Sequence, residues 1–184
     1  MSTHADLLRV LYDPVQYYRP WRQASAALQP AQRTALNGWL AQRHALPAYA
    51  PPPAEQRACI QRLVAGWARL PDAAYLMACA RHRHRLMGSR AFVRLPRPVH
   101  AFLRLPFAPC GPSPVDVEDE YSLRAWGAAC LLHGLHDHVP SWVLARARLC
   151  FTGLVVPPHA GAGPGDAFDM TCFWSAWNHA ANLS

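Results

Sequence analysis

Along this chain apolar residues recur at intervals of three and four, and prolines fall between the runs. That pattern predicts short amphipathic helices joined by stiff connectors. Leu7, Leu8 and Leu11 share one face of a first helix that Thr3 is placed to cap, and Asp13-Pro14 then turns the chain into Tyr17-Tyr-Arg-Pro20-Trp21, expected as a packed loop. Pro30 suits the first position of a second helix, whose inner face would be Leu36, Trp39 and Leu40 and which should stop before Pro47. Beyond the stiff Pro51-Pro52-Pro53 connector, the stripe Ile60, Leu63, Val64, Trp67 and Leu70 predicts a helix from Ala54. A break at Leu70-Pro71-Asp72 should precede a helix carrying Tyr75, Leu76 and Cys79 and reaching about Met87.

From Arg90 to Phe107 the prolines Pro96, Pro98 and Pro106 permit only a short or broken helix, and residues 108–114 read as a loop. Asp116 or an acidic neighbour should cap the next helix, with Tyr121, Trp126, Ala129, Cys130 and Leu135 on its core side and its end near Val139-Pro140. Ser141 to Phe151 predicts another helix. Residues 158–165 read as a flexible loop, and residues 166–182 as a C-terminal helix capped by Asp166 and carrying Met170, Phe173, Trp174 and Trp177. No alternating run is long enough for a strand. The expected fold is mainly α, a single compact multi-helix domain over residues 1–184 with Pro-rich connectors and no substantial sheet.

Composition narrows the possibilities further. With 184 residues and 52% hydrophobic side chains, the chain can build a core without staples. No apolar run approaches the ~18 residues of a membrane span, and the first residues lack a basic, then apolar, leader, so the expectation is a soluble chain that stays in the cytoplasm. Six widely spaced cysteines, Cys59, Cys79, Cys110, Cys130, Cys150 and Cys172, read as buried thiols rather than a disulfide framework. All 18 basic residues are arginine. Residues 71–104 hold seven arginines and one acid, whereas residues 105–138 hold one arginine and five acids. Arg81, Arg83, Arg85, Arg90 and Arg94 thus form a basic stretch, and Asp116, Glu118, Asp119 and Glu120 an acidic one. This segregation suits docking to charged partners.

Candidate chemistry is thin. His133, His136 and His138 cannot all face one metal while the helix lasts, since His138 is rotated by ~200° from His136. Cys79 with His82 and Cys130 with His133 are two C-x-x-H pairs that could form a Cys₂His₂ zinc set if their helix faces met, although a buried Cys beside a boundary His is the commoner arrangement. Gly161 to Gly165 lacks the preceding strand and the lysine of a phosphate-binding loop. No nucleophile elbow is present. The sequence therefore predicts no catalytic, cofactor-binding or metal-binding residue. Arg81-His-Arg-His-Arg85, with Phe92 and Phe102 as stacking rings, supports nucleic-acid binding as an alternative, against which stand the spread of the arginines around the helix and the lack of a recognition motif.

Leu11-Tyr-Asp-Pro14, Tyr17-Tyr-Arg-Pro20-Trp21, Leu70-Pro-Asp-Ala-Ala-Tyr-Leu76, Leu123-Arg-Ala-Trp126-Gly127 and Val139-Pro140-Ser-Trp-Val-Leu-Ala-Arg-Ala-Arg-Leu149 together resemble the SctK family of type III secretion systems, the YscK, PscK, MxiK and OrgA-like accessory proteins. The similarity spans about residues 11–157. It departs at Tyr18-Arg19, where the family often has Leu-His, and after Phe151, where Thr152-Gly153 replaces a proline. The resemblance implies a mainly helical, non-enzymatic adaptor of the cytosolic sorting platform, peripheral to the bacterial inner membrane. Its partners would be the cytoplasmic domain of the ring protein SctD and the pod protein SctQ, and through the pod SctL and the ATPase SctN. Pro14, Tyr17, Pro20, Trp21, Trp126, Gly127 and Pro140 are the residues that carry the motif.

Overall fold

A computed structural model describes residues 3–106, 119–155 and 169–183. Among them lie ten α-helices and no strand, in agreement with the mainly α expectation. The helices are α1 (Thr3–Tyr12), α2 (Pro30–Arg43), α3 (Ala54–Ala65), α4 (Leu70–Arg81), α5 (Arg83–Met87), α6 (Arg90–Arg94), α7 (Arg97–Leu103), α8 (Glu120–Leu135), α9 (Ser141–Leu149) and α10 (Met170–Ala180). They gather into two compact units, Met1–Ala68 with Leu135–Gly153 and Arg69–Gly134 with Leu154–Ser184.

In the first unit α1 packs on α3, and the 3-10 turn Pro14–Gln16 packs on α2. Val10 and Leu11 are buried while Leu8 is 43% exposed, so the inner face of α1 is set by Leu7, Val10 and Leu11 rather than by Leu8 as expected. The aromatic segment is indeed packed: Tyr17 is buried, donates from its hydroxyl to the Val10 carbonyl at 2.7 Å, and meets Trp67 edge to face at 5.6 Å. Pro30 opens α2 as predicted, and Gln29 and Gln32 satisfy its first backbone amides through a capping box. Asp13 ties α2 to the preceding turn, accepting from Arg33 at 2.6 Å and from Asn37 at 3.0 Å.

The stripe from Ile60 to Leu70 is inside throughout, yet it does not lie on one helix. Gly66 ends α3, Trp67–Arg69 forms a 3-10 turn, and Leu70 already opens α4 with Pro71 in its first turn. The expected break therefore falls one turn early, because proline is tolerated where a helix begins. The buried Arg146 of α9, 6% exposed, holds three chain segments together: its guanidinium donates to the carbonyls of Pro47, Trp142 and Leu11 at 2.9, 3.2 and 3.3 Å.

The second unit is built around α4, buried from Leu70 to Cys79 except at its first-turn residues Pro71 and Asp72. Against it packs α10 through Phe173, Ala176, Trp177 and Ala180, and α7 packs on both. Full burial of Phe173 and Trp177 stabilises this unit by about 2–3 kcal/mol each. The last helix begins at Met170, capped by Asp169, whose carboxylate accepts from the amides of Thr171 and Cys172 at 2.9 and 3.0 Å. Asp166, the expected cap, lies outside the described residues, as do residues 108–114 and 158–165.

Two other expectations are revised here. The helix from Tyr75 does not run unbroken to Met87: it stops at Arg81, and His82 separates α4 from α5. On α8 the buried side is Leu123, Ala125, Trp126, Gly127, Ala128, Leu131 and Leu135, whereas Tyr121 is exposed and Ala129 and Cys130 are half-buried. Small residues form this face because the helix runs close to α4. A Cβ placed on Gly127 would overlap the Ala74 carbonyl and come within 3.2 Å of the Ala78 methyl.

Candidate docking surfaces

The predicted basic residues fall at the end of α4 and on the short helices α5 and α6 of the second unit, and the structure treats them unequally. Arg81 and Arg83 are half-buried, and Arg83 donates to the Leu105 carbonyl at 3.1 Å. Arg85 and Arg90 sit on α5 and α6, which pack together, and Arg94 ends α6; all three are exposed. Two apolar side chains stand among them: Val93 is 82% exposed and Met87 53%. Charge for steering and apolar area for desolvation therefore occur on the same short helices, the composition of a protein-docking face.

His82, between Arg81 and Arg83 in sequence, is turned inward. It is 2% exposed, meets the Trp126 ring edge to face at 4.9 Å, and neither ring nitrogen has a hydrogen-bond partner among the described residues. Burial, reinforced by Arg85 and Arg81, pushes its pKa down to about 4. The imidazole is thus a neutral core ring. Of the two aromatics that were to stack on nucleic-acid bases, Phe102 is fully buried and Phe92 is packed edge to face on His100 at 4.4 Å. Phe102 therefore offers no face to a base, and half-buried Phe92 is already engaged with His100, which weakens the stacking half of the nucleic-acid reading.

The acidic stretch is partly consumed by the fold. Asp116 and Glu118 lie outside the described residues. Asp119 accepts from the Ser122 amide at 2.6 Å, and this bond at the start of α8 holds its carboxyl below the usual range. Glu120 pairs with Arg124 one turn on at 2.8 Å, and the same guanidinium reaches Asp72 at 3.3 Å and lies over the Tyr75 ring at 4.6 Å. These charges organise α8 against α4 as well as facing solvent.

Nor do the metal candidates assemble. Cys79 and His82 are buried, Cys130 is half-buried and His133 is exposed, and among the described residues no three His, Cys, Asp or Glu side chains converge on one point. His136 and His138 are exposed as well, and His136 pairs with Asp137 at 2.9 Å.

The residues of the sequence motif mostly serve the fold. Pro14 is buried at the start of a 3-10 turn, Trp126 and Gly127 line the close approach of α8 to α4, and Pro140 precedes the first residue of α9. Pro20 is exposed and Trp21 half-exposed. After Phe151, Gly153 at φ 84° closes the turn where the resemblance departs, and Arg19 donates to the Thr152 carbonyl at 3.4 Å. Two features escape motif reading. Arg146 is buried with carbonyl acceptors and no carboxylate partner among the described residues. Trp39 is 42% exposed although its position on the stripe predicted core, and it stacks on Trp21 at 5.5 Å.

Among the described residues no helix is long and apolar enough to cross a membrane. No curated protein matches the chain, and no solved structure does. The family described as bacterial type III secretion apparatus protein (OrgA_MxiK) matches residues 7–182, nearly the whole sequence. As the motifs at Pro14–Trp21 and Trp126–Gly127 implied, the chain belongs to this family of type III secretion apparatus proteins.

Proposed function

We propose that the protein is a non-enzymatic adaptor of the cytosolic sorting platform, joining the cytoplasmic domain of the ring protein SctD to the pod protein SctQ, and through the pod to SctL and the ATPase SctN. It would sit in the cytoplasm, peripheral to the inner membrane through the apparatus itself. The observation that carries this reading is the pairing of exposed Met87 and Val93 with exposed Arg85, Arg90 and Arg94. An acidic partner surface with an apolar centre would be steered by the arginines and held by the two apolar side chains. Asp119 and Glu120, with Asp116 and Glu118 before them, would face a second partner.

The test is co-expression with the SctD cytoplasmic domain and with SctQ of the same genome. Reversing Arg85, Arg90 and Arg94 to glutamate, with Val93→Asp as an independent probe, should weaken one of the two complexes by about ten-fold or more while far-UV circular dichroism stays unchanged. Retention of both complexes at native strength by both variants would remove this surface from the proposal.

A further inference from the structure

The first unit carries a second surface of a different kind. Trp39, on α2, is 42% exposed, and its ring is fixed from two directions: Trp21 stacks on it at 5.5 Å with 29° between the planes, and the Arg43 guanidinium lies 5.2 Å from its centroid. Behind them, buried Tyr18 meets Trp21 edge to face at 5.3 Å and the His44 ring at 5.8 Å. The exposed indole is therefore tied through Trp21 to the buried Tyr18 and carries the Arg43 guanidinium against its ring. The core did not need it: Leu40, the next residue, is fully buried.

The segment that forms this platform is basic, although Asp13, just before it, pairs with Arg33 and Asn37 of α2. Residues 14–54 contain four arginines and no acid. Arg33 is engaged by Asp13 at 2.6 Å and Arg19 donates to the Thr152 carbonyl, whereas Arg22, next to Trp21, and Arg43, stacked on Trp39, are exposed. A guanidinium lying on an indole keeps its N–H groups free to fork onto a carboxylate while the ring edge remains open to an apolar side chain. Rigid Trp and Arg are the residues that most often dominate binding energy, because little side-chain entropy is left to lose.

We propose that the Trp21–Trp39–Arg43 platform is a docking site for an acidic polypeptide segment that presents an apolar side chain beside its carboxylates. The site shares no residue with the basic face of α5 and α6 and does not depend on that face being an interface. Nucleic acid fits less well, since the Trp39 ring already meets an indole and a guanidinium and has little open face on which a base could stack.

The full chain should be titrated into three labelled probes followed by fluorescence anisotropy: a short peptide in which glutamates flank a central Phe-Leu pair, its counterpart with lysines, and a single-stranded oligonucleotide. Saturable binding of the glutamate peptide is expected, weakened about ten-fold or more by Trp39→Ala and by Arg43→Glu, with no binding of the lysine peptide. Arg43 is exposed, so Arg43→Glu decides the matter if Trp39→Ala does not fold. The proposal fails if the native chain does not bind the glutamate peptide, if Arg43→Glu binds it at native strength, or if the lysine peptide binds equally well. It also fails if the oligonucleotide binds more tightly than the glutamate peptide and loses that binding in the same variants.

Discussion

Gly127 allows the backbones of α8 and α4 to approach until a methyl group no longer fits between Gly127 and the Ala74 carbonyl. Gly127→Ala adds helix propensity worth about 1 kcal/mol, but the overlap is with backbone, which cannot swing aside as a flexible side chain would. A net loss of about 2 kcal/mol or more is expected, read as a lower urea midpoint with unchanged slope. His82 poses a different problem, set by pH. Its folded pKa of about 4 lies below the 6.5 of an exposed imidazole, so the unfolded chain binds a proton across this window and the folded chain does not. Stability from this residue is complete above pH 6.5 and is lost as pH falls toward 4. Between about pH 7 and about pH 5 the loss should be about 2 kcal/mol, and His82→Phe, which keeps an aromatic ring against Trp126, should remove most of it. Urea midpoints of the two proteins at both pH values check this; parallel slopes with pH would refute it.

At the scale of elements, hydropathy period and proline placement located most helices, because both signals are local. The stripe of α3, the first-turn Pro30 and the broken run from Arg90 to Leu103 were legible for that reason. What the period could not supply was the choice between faces. Leu8, Trp39 and Tyr121 are as apolar as their buried neighbours and yet exposed, and the inner face of α8 is marked by Ala125, Gly127 and Ala128, whose small size is chosen by a partner helix distant in sequence. Of the candidate site, the concentration of arginine was legible, but the apolar Met87 and Val93 among the arginines, and the inward turn of His82, depend on short helices whose ends no local rule fixed. The end of α2 is a further case. No glycine marks it; instead Ala45 adopts φ 46°, while the amides of Ala45 and Leu46 donate to the carbonyls of Gln42 and Ala41 at 3.1 and 2.9 Å. An L-residue with a side chain is strained there, so Ala45→Gly should raise stability by about 0.5–1 kcal/mol. By contrast, Asp169→Ala removes the cap of α10 and should cost about 1 kcal/mol. Thermal melts of the two single variants should therefore move in opposite directions.

For the whole molecule, the chain enters each unit twice: the first takes Met1–Ala68 and Leu135–Gly153, the second Arg69–Gly134 and Leu154–Ser184. Neither unit is a continuous stretch of sequence, and unfolding either one would leave the segments of the other joined only through a long unstructured connection. Such interleaving favours one cooperative transition, the behaviour expected of a single domain. Two cysteines report on it independently. Cys79 belongs to the second unit and Cys150 to the first; each is buried, and burial pushes each thiol up to about 12, so neither reacts as a thiolate while its unit is folded. In increasing urea, pulses of a thiol reagent followed by peptide mapping should show Cys79 and Cys150 becoming reactive at the same midpoint, one that also coincides with loss of helical circular dichroism. Separate midpoints for the two thiols would mean that the units unfold as two domains. Variants should shift both thiols together in the cooperative case: Gly127→Ala, although it lies in the second unit, should lower the Cys150 midpoint as far as that of Cys79. A Cys150 midpoint that stays in place while Cys79 becomes reactive at lower urea would assign the damage to one unit alone.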